Sequence, residues 1–427
     1  MFILTYCHLQ SKIEINNYHF FKRHLIMSKK TKEESELQGI TNLIVDATIG
    51  VTNLVEAMHK QVVQPSFLPS TTIQKLITSI ASITYKNIRW SSLFIGSGIS
   101  KILKKLTPAI GEIKDSYKKE VIISILNGVI GDYLEEKENP LKITMQFRYQ
   151  SKAIAIDRKS IKAAYPNING KILLMVHGSC MNDLQWMRKD HNHGKILAAE
   201  LNKTPIYLNY NSGLHISSNG QKLNDSLEEL IKHWPVPIEE LTIIAHSMGG
   251  LVTRSALYYG EQNKKDWTNY LKKVVFLGTP HHGSYIERTG SYLDLILESI
   301  PYTKPFARLG KIRSAGVTDL RYGNLIDEDW KNNDRFEIKK DQRQHIELPK
   351  QIAFYNIAAI TGKESAPLSI QALGDTLVGL KSALGQHKNP GRNLHFKKEN
   401  IWICYDSNHL DLLSTSRILD RLKVWLV

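Results

Sequence analysis

The sequence predicts an α/β architecture: a mainly parallel, doubly wound sheet, preceded by an N-terminal all-α region and interrupted by a cap or lid insertion. Three observations carry that expectation. Short, continuous apolar runs recur between Ile172 and Cys404, mostly alternating with helical patterns. The stretch from Leu37 to Leu134 shows helical spacing only, and the segment from Ser284 to Lys350 is long, mixed and poorly periodic. Strands without polar alternation are strands buried on both faces, which is what a parallel sheet covered by helices demands.

Taken in order, Leu37, Ile40, Ile44, Ala47, Val51, Leu54, Met58 and Val62 lie on one face of a helix that Pro65 and Pro69 close. Further helical patterns over Ile73–Tyr85, Ser92–Leu106 and Ser116–Leu134 complete a helical region, 37–135, behind an N-terminal extension, 1–36, expected to be disordered. After Pro140 the period becomes two, and Leu141–Phe147 and Ala153–Ile156 read as short strands. Buried strands are expected at Ile172–Val176, Pro205–Asn209, Leu241–Ala245, Lys273–Leu277, Ile352–Ile357 and Asn400–Cys404. The sheet domain therefore spans 141–427, with the cap or lid at 284–350.

The 427 residues, 42% of them apolar, suffice for a full α/β core and an appended region. With 56 Lys and Arg against 41 Asp and Glu, the chain carries a formal charge of +15, which favours anionic partners. Those cations are scattered rather than gathered with interleaved aromatics, which argues against nucleic acid. The basic amphipathic stretch Ile99–Leu106 could lie on an anionic membrane surface, though a helix packed on its apolar face with its lysines in water is the favoured reading. Cys7, Cys180 and Cys404 are too few and too dispersed for a disulfide framework or a structural zinc, which points to a reducing, cytoplasmic location. Residues Met1–Met27 mix charges among apolar residues and lack the apolar core of a signal peptide, and Met27, ahead of a Lys-rich stretch, reads as the natural start. No apolar run is long enough to span a bilayer.

The chemistry centres on Leu241-Thr-Ile-Ile-Ala-His-Ser-Met-Gly-Gly250, an apolar strand, an abrupt turn of small residues, and a helical run from Leu251 to Tyr259. A nucleophile elbow needs this placement, with small residues two before and two after the serine. Gly249 meets the second demand, and Ala245 meets the first with one methyl more than the usual glycine. Ser247 is the candidate nucleophile; a helix-capping serine is the plainer reading of the same string.

A serine hydroxyl attacks only when a base takes its proton, and in this architecture the order is serine, acid, histidine. Of sixteen histidines, His409 follows the last predicted strand on the loop where a base belongs. Asp375, behind Gly374 and after the Ile352–Ile357 strand, is the candidate acid, with Asp406 and Asp411 as runners-up. The oxyanion needs two backbone N–H donors. Met248 supplies one, and the run His177-Gly178-Ser179-Cys180 after the Ile172–Val176 strand supplies the other, Ser179 first and Cys180 next. Cys180 as a nucleophile is outweighed by a small buried thiol. Asp190-His-Asn-His193 and His281-His282 lack a third metal ligand and read as solvated loop histidines. Gly96-Ser-Gly98 lacks the lysine of a phosphate loop and reads as helix packing.

Together, His177-Gly178, Ala245–Gly250, Leu277-Gly-Thr-Pro-His-His-Gly-Ser284, Gly374–Val378 and His409 resemble the ordered motif set of lipase-like and esterase-like α/β-hydrolases, closest to the GPI inositol-deacylase-like and related bacterial lipase group. The resemblance covers 142–427. It implies the α/β-hydrolase fold, hydrolysis of a carboxylic ester through an acyl-enzyme, a lipid-like or acyl-ester substrate, and no metal or cofactor. An acyltransferase using the same triad and a non-catalytic binding protein on the same fold are the alternatives.

Overall fold

The structure, a computed structural model, describes residues 103, 104, 107, 108, 110–284, 287, 313–331, 335, 341–367 and 371–427. The chain divides into two compact units, Met1–Lys114 and Asp115–Val427, and the second holds the sheet. The extension 1–36, the Leu37–Val63 and Ile73–Tyr85 helices and Gly96–Gly98 lie outside the described residues. So does most of the Ser92–Leu106 helix, with the basic stretch at its end.

Among the described residues, eight strands form one sheet in the order β2-β1-β4-β3-β5-β6-β7-β8. They are β1 (Gln146–Tyr149), β2 (Lys152–Ile154), β3 (Lys171–Val176), β4 (Thr204–Asn209), β5 (Glu240–His246), β6 (Leu271–Leu277), β7 (Ala353–Ala359) and β8 (Ile401–Cys404). From β4 to β8 every pairing is parallel, and β1 runs antiparallel against both β2 and β4. This is the α/β-hydrolase fold that the motifs implied. The central strands owe their burial to composition: Ile172–Val176 and Leu241–His246 are buried without interruption, so each packs helices on both faces. Because β4 and β5 lie on opposite sides of β3, the strand order reverses there. The crevice beyond the carboxyl ends of β3 and β5 is where this topology places a site.

The helices used below are α1 (Ser116–Glu136), α2 (Arg158–Ala164), α3 (His193–Glu200), α4 (Ile216–His233), α5 (Met248–Gln262) and α6 (Ser416–Leu426). Helix α3 packs with α6, and α4 with α5. Helix α1, expected to close the N-terminal helical region, falls instead within the unit that holds the sheet. Asn127 on α1 shows why, because its side chain donates to Leu141 O at 2.7 Å and accepts from Ile143 N at 2.9 Å. Those two backbone groups are thereby committed to the helix, and the strand expected from Leu141 begins only at Gln146. Helix α1 also receives Asn211, whose Nδ2 donates to Gly131 O at 2.9 Å.

The described part of the 284–350 insertion is closely packed. Val317, Leu320 and Ile326 have no exposed surface. Ser314 Oγ donates to Gly128 O on α1 (2.6 Å), Ala315 N to Asp132 Oδ2 (3.0 Å), and Asp319 accepts the first amide of α4 from Ile216 (2.9 Å). No helix among the described residues is long and apolar enough to cross a membrane.

Candidate active site

Strand β5 ends and α5 begins at Ser247, which stands at φ 53° and ψ −124°. Residues with a Cβ rarely adopt that conformation, and it lifts the hydroxyl out of the line of the strand. Two backbone hydrogen bonds hold it: Ser247 N donates to Leu277 O (2.8 Å) and Gly250 N to Ser247 O (3.0 Å). Gly249 has no room for a side chain, since a Cβ there would lie 2.5 Å from His177 O and 2.6 Å from Val176 O. The helix therefore approaches the end of β3 as closely as the backbone allows. Ala245 is fully buried and is accommodated with its methyl in place.

Asp375 sits between two residues of positive φ, Gly374 (70°) and Thr376 (82°), in a turn that folds its carboxylate back on its own backbone. Oδ1 accepts from Leu377 N at 3.0 Å and Val378 N at 2.8 Å, and Oδ2 lies 2.6 Å from Nδ1 of His409. The acid also receives His409 N on its carbonyl, at 3.2 Å. An ionised carboxylate only accepts, so Nδ1 carries the proton and Nε2 is left as the basic nitrogen. The runners-up are elsewhere engaged or exposed. Asp411 pairs with Lys189 at 3.0 Å, and Asp406 faces solvent.

Serine, acid and histidine converge on one spot. Ser247 bonds to Leu277, and a Cβ on the next residue, Gly278, would stand 3.1 Å from His409 Cε1 and 3.2 Å from Asp375 Oδ2. All three are buried: Ser247 and Asp375 at 0% exposure and His409 at 2%. Ser247 Oγ and His409 Nε2 are both buried without a hydrogen-bond partner among the described residues.

The two candidate oxyanion donors flank the serine. Met248 is the first residue of α5. On the loop after β3, Cys180 stands at φ 59° with its amide committed to Ser212 Oγ at 3.0 Å, which takes it out of the pair and leaves Ser179. Burial pushes the Cys180 thiol up to about 12, so it is no nucleophile at neutral pH. His177 stacks on Tyr210 with centroids 4.3 Å apart, and its Nδ1–H donates to Gly178 O at 2.8 Å. Burial pulls it down to about 4.

Three of the four histidines read as solvated are buried. His193 is fully buried at the start of α3, with Nε2–H donating to Leu412 O at 3.0 Å and Nδ1 facing His191 Nε2 at 2.8 Å. His281 is fully buried with its ring edge-on to Phe276 (4.8 Å), and His282 bonds through Nε2 to Gly385 O (3.1 Å). Among the described residues no group of three or more His, Cys, Asp or Glu is placed to hold a metal ion. The sequence reading missed Ser212, which fixes the Cys180 amide, and gave His246 no role.

Sheet order and the strand-turn-helix elbow at Ser247 give this chain the α/β-hydrolase fold. Residues 167–344 match the family described as PGAP1-like alpha/beta domain, a span that contains Ser247 and ends before Asp375 and His409. No curated protein matches the chain. Among solved structures, the mature lipase BlEst2 of Bacillus licheniformis is similar at 16% identity, over 60% of this chain and 92% of that one, with a TM-score of 0.40. The Pyrococcus furiosus esterase Pf2001 is similar at 12% identity, over 61% and 80%, with a TM-score of 0.35. YbtT, a type II thioesterase of the yersiniabactin pathway, is similar at 12% identity, over 60% and 90%, with a TM-score of 0.34.

Proposed function

We propose that the chain is a serine hydrolase that cleaves a carboxylic ester of a lipid-like or acyl substrate. The observation that carries this reading is the 2.6 Å contact between His409 Nδ1 and Asp375 Oδ2, which leaves Nε2, like the Oγ of the elbow serine, buried without a hydrogen-bond partner among the described residues. Ser247 Oγ attacks the acyl carbon while His409 Nε2 takes its proton, and Asp375 stabilises the imidazolium that forms. The amides of Met248 and Ser179 stabilise the oxyanion of the tetrahedral intermediate. Collapse expels the alcohol, which leaves with the proton returned from His409, and the acyl group remains as an ester on Ser247. Water, deprotonated by the same imidazole, repeats the attack and releases the acid.

A fluorophosphonate ester tests this directly, because it phosphonylates only an activated serine. Wild-type protein is expected to give one adduct, mapped to the Ser247 peptide. Ser247→Ala is expected to take none and to lose ester turnover by about a thousandfold or more while unfolding at the wild-type midpoint. Turnover that survives intact in the alanine variant would overturn the assignment.

A further inference from the structure

His246 closes β5 and immediately precedes the serine, and its ring is 1% exposed. It touches three separate parts of the site. Its Nε2 lies 3.2 Å from the carbonyl oxygen of His409, and the two imidazole centroids are 4.7 Å apart. Trp186, on the segment that follows the loop after β3, meets the ring edge-on at 6.4 Å. A Cβ on Gly178 would stand 3.0 Å from His246 Nδ1, so that loop can press against the ring only because the residue there is glycine.

The protonation of His246 follows from its partner. A carbonyl oxygen only accepts, so Nε2 carries the hydrogen, and Nδ1 is buried without a partner among the described residues. Burial first, and the neighbouring His409 ring second, hold the group well below the usual imidazole range, so it stays a neutral donor.

The carbonyl it holds belongs to the candidate base. The backbone of His409 is thereby gripped at both ends, its N–H by Asp375 O at 3.2 Å and its C=O by His246. Asp375 fixes the direction of the ring, but nothing in that pair fixes its distance from the serine. The His246 contact does, because its donor is one residue from Ser247 in the chain while its acceptor is the base itself.

We propose that His246 is a positioning residue for the reaction set out above, and that its Nε2–H, donated to the His409 carbonyl, sets where the base stands relative to Ser247. The role rests on the serine-hydrolase reading. It concerns a contact whose presence can be measured whether or not ester is turned over.

The test compares three variants of the full chain. His246→Leu removes the donor. His246→Asn keeps an amide too short to reach the carbonyl, and His246→Gln places an amide N–H near the position of Nε2. Two quantities are read: turnover of a p-nitrophenyl ester, and hydrogen–deuterium exchange in the peptide spanning 406–413. Leu and Asn are expected to lower kcat by about 10- to 100-fold with KM changed less than about twofold, since misplacement of a catalytic group acts on the chemical step. Exchange in 406–413 rises in both, and Gln restores most of both quantities. Wild-type kcat and exchange in a folded Leu or Asn variant would overturn the proposal, and so would a Gln variant as impaired as the others. If wild-type protein neither turns over ester nor takes fluorophosphonate, the hydrolase reading falls, and the exchange data alone decide whether His246 holds the loop.

Discussion

Ser247 occupies a backbone conformation that costs about 1–3 kcal/mol for a residue with a side chain, and its neighbours leave it no other. Its amide is fixed to Leu277 O and its carbonyl to Gly250 N, so the strain is carried by the β5–β6 pairing rather than by the serine alone. The same logic governs Asp375. Its Oδ1 accepts two backbone amides and its Oδ2 faces His409, so the carboxylate is bonded on both oxygens. In Asp375→Asn one side-chain oxygen becomes an NH2. That group must face either the Leu377 and Val378 amides, two donors against a donor, or His409 Nδ1. In the second case the imidazole must offer Nδ1 as acceptor, and Nε2 then carries the hydrogen and cannot take the serine proton. Ester turnover is therefore expected to fall by about 10⁴-fold in kcat with KM nearly unchanged, and a fall below about tenfold would contradict the assignment of Asp375. The turn that holds Asp375 was legible in the sequence because a backbone of positive φ leaves its signature in Gly374. His246 was not, because a histidine that ends an apolar strand gives no sign of which carbonyl it meets from the other side of the fold.

At the scale of elements, the junction of β3, β5 and α5 decides the architecture. Gly249 sits where the first turn of α5 meets the last residues of β3, and backbone carbonyls, which cannot move aside, occupy the space a methyl would need. Gly249→Ala is expected to destabilise the fold by about 1–3 kcal/mol, as overpacking does in close-packed interiors, and to lower ester turnover as the elbow shifts. An unchanged urea midpoint would mean that the junction is looser than the structure has it. The strands of this core were readable because strands buried on both faces must be apolar throughout, and the expected runs fall within or beside the observed β3 to β8. The edge was harder to read. Leu141-Lys-Ile-Thr-Met alternates as a strand should, yet Asn127 takes its backbone groups, and that competition comes from a helix several residues earlier. The insertion 284–350 was harder still, because its described residues bury apolar side chains one at a time and are tied to α1 and α4 by single hydrogen bonds, which leaves no repeat to detect.

For the whole molecule, the number of buried neutral histidines sets how folding responds to acid. His177 is pulled down to about 4 and His193 and His282 to about 3, in each case chiefly by burial, and His246 and His281 lie well below the ordinary range for the same reason. As pH falls through about 6.5, the unfolded chain takes up a proton on each of these side chains and the folded chain does not. Their contribution to stability is therefore complete above pH 6.5 and is lost progressively as pH falls, down to about 4 for His177 and about 3 for His193 and His282. The loss is limited to about 1.4 kcal/mol per pH unit for each fully buried group. Glu287, whose carboxyl burial pushes up to about 7, works in the opposite direction, since it favours the folded state as pH falls, and Asp183 and Asp329, raised by burial as well, do the same in more acidic solution. Two of the five, His193 and His246, hold carbonyls of the loop that carries His409, so acid strain is concentrated beside the base. The urea midpoint is thus expected to drop clearly between pH 7 and pH 5, before the bulk of the carboxylates titrate. Exchange in the 406–413 peptide is expected to rise in the same window. A midpoint that stays level to pH 5 would mean that these histidines are protonated, and accommodated, in the folded chain.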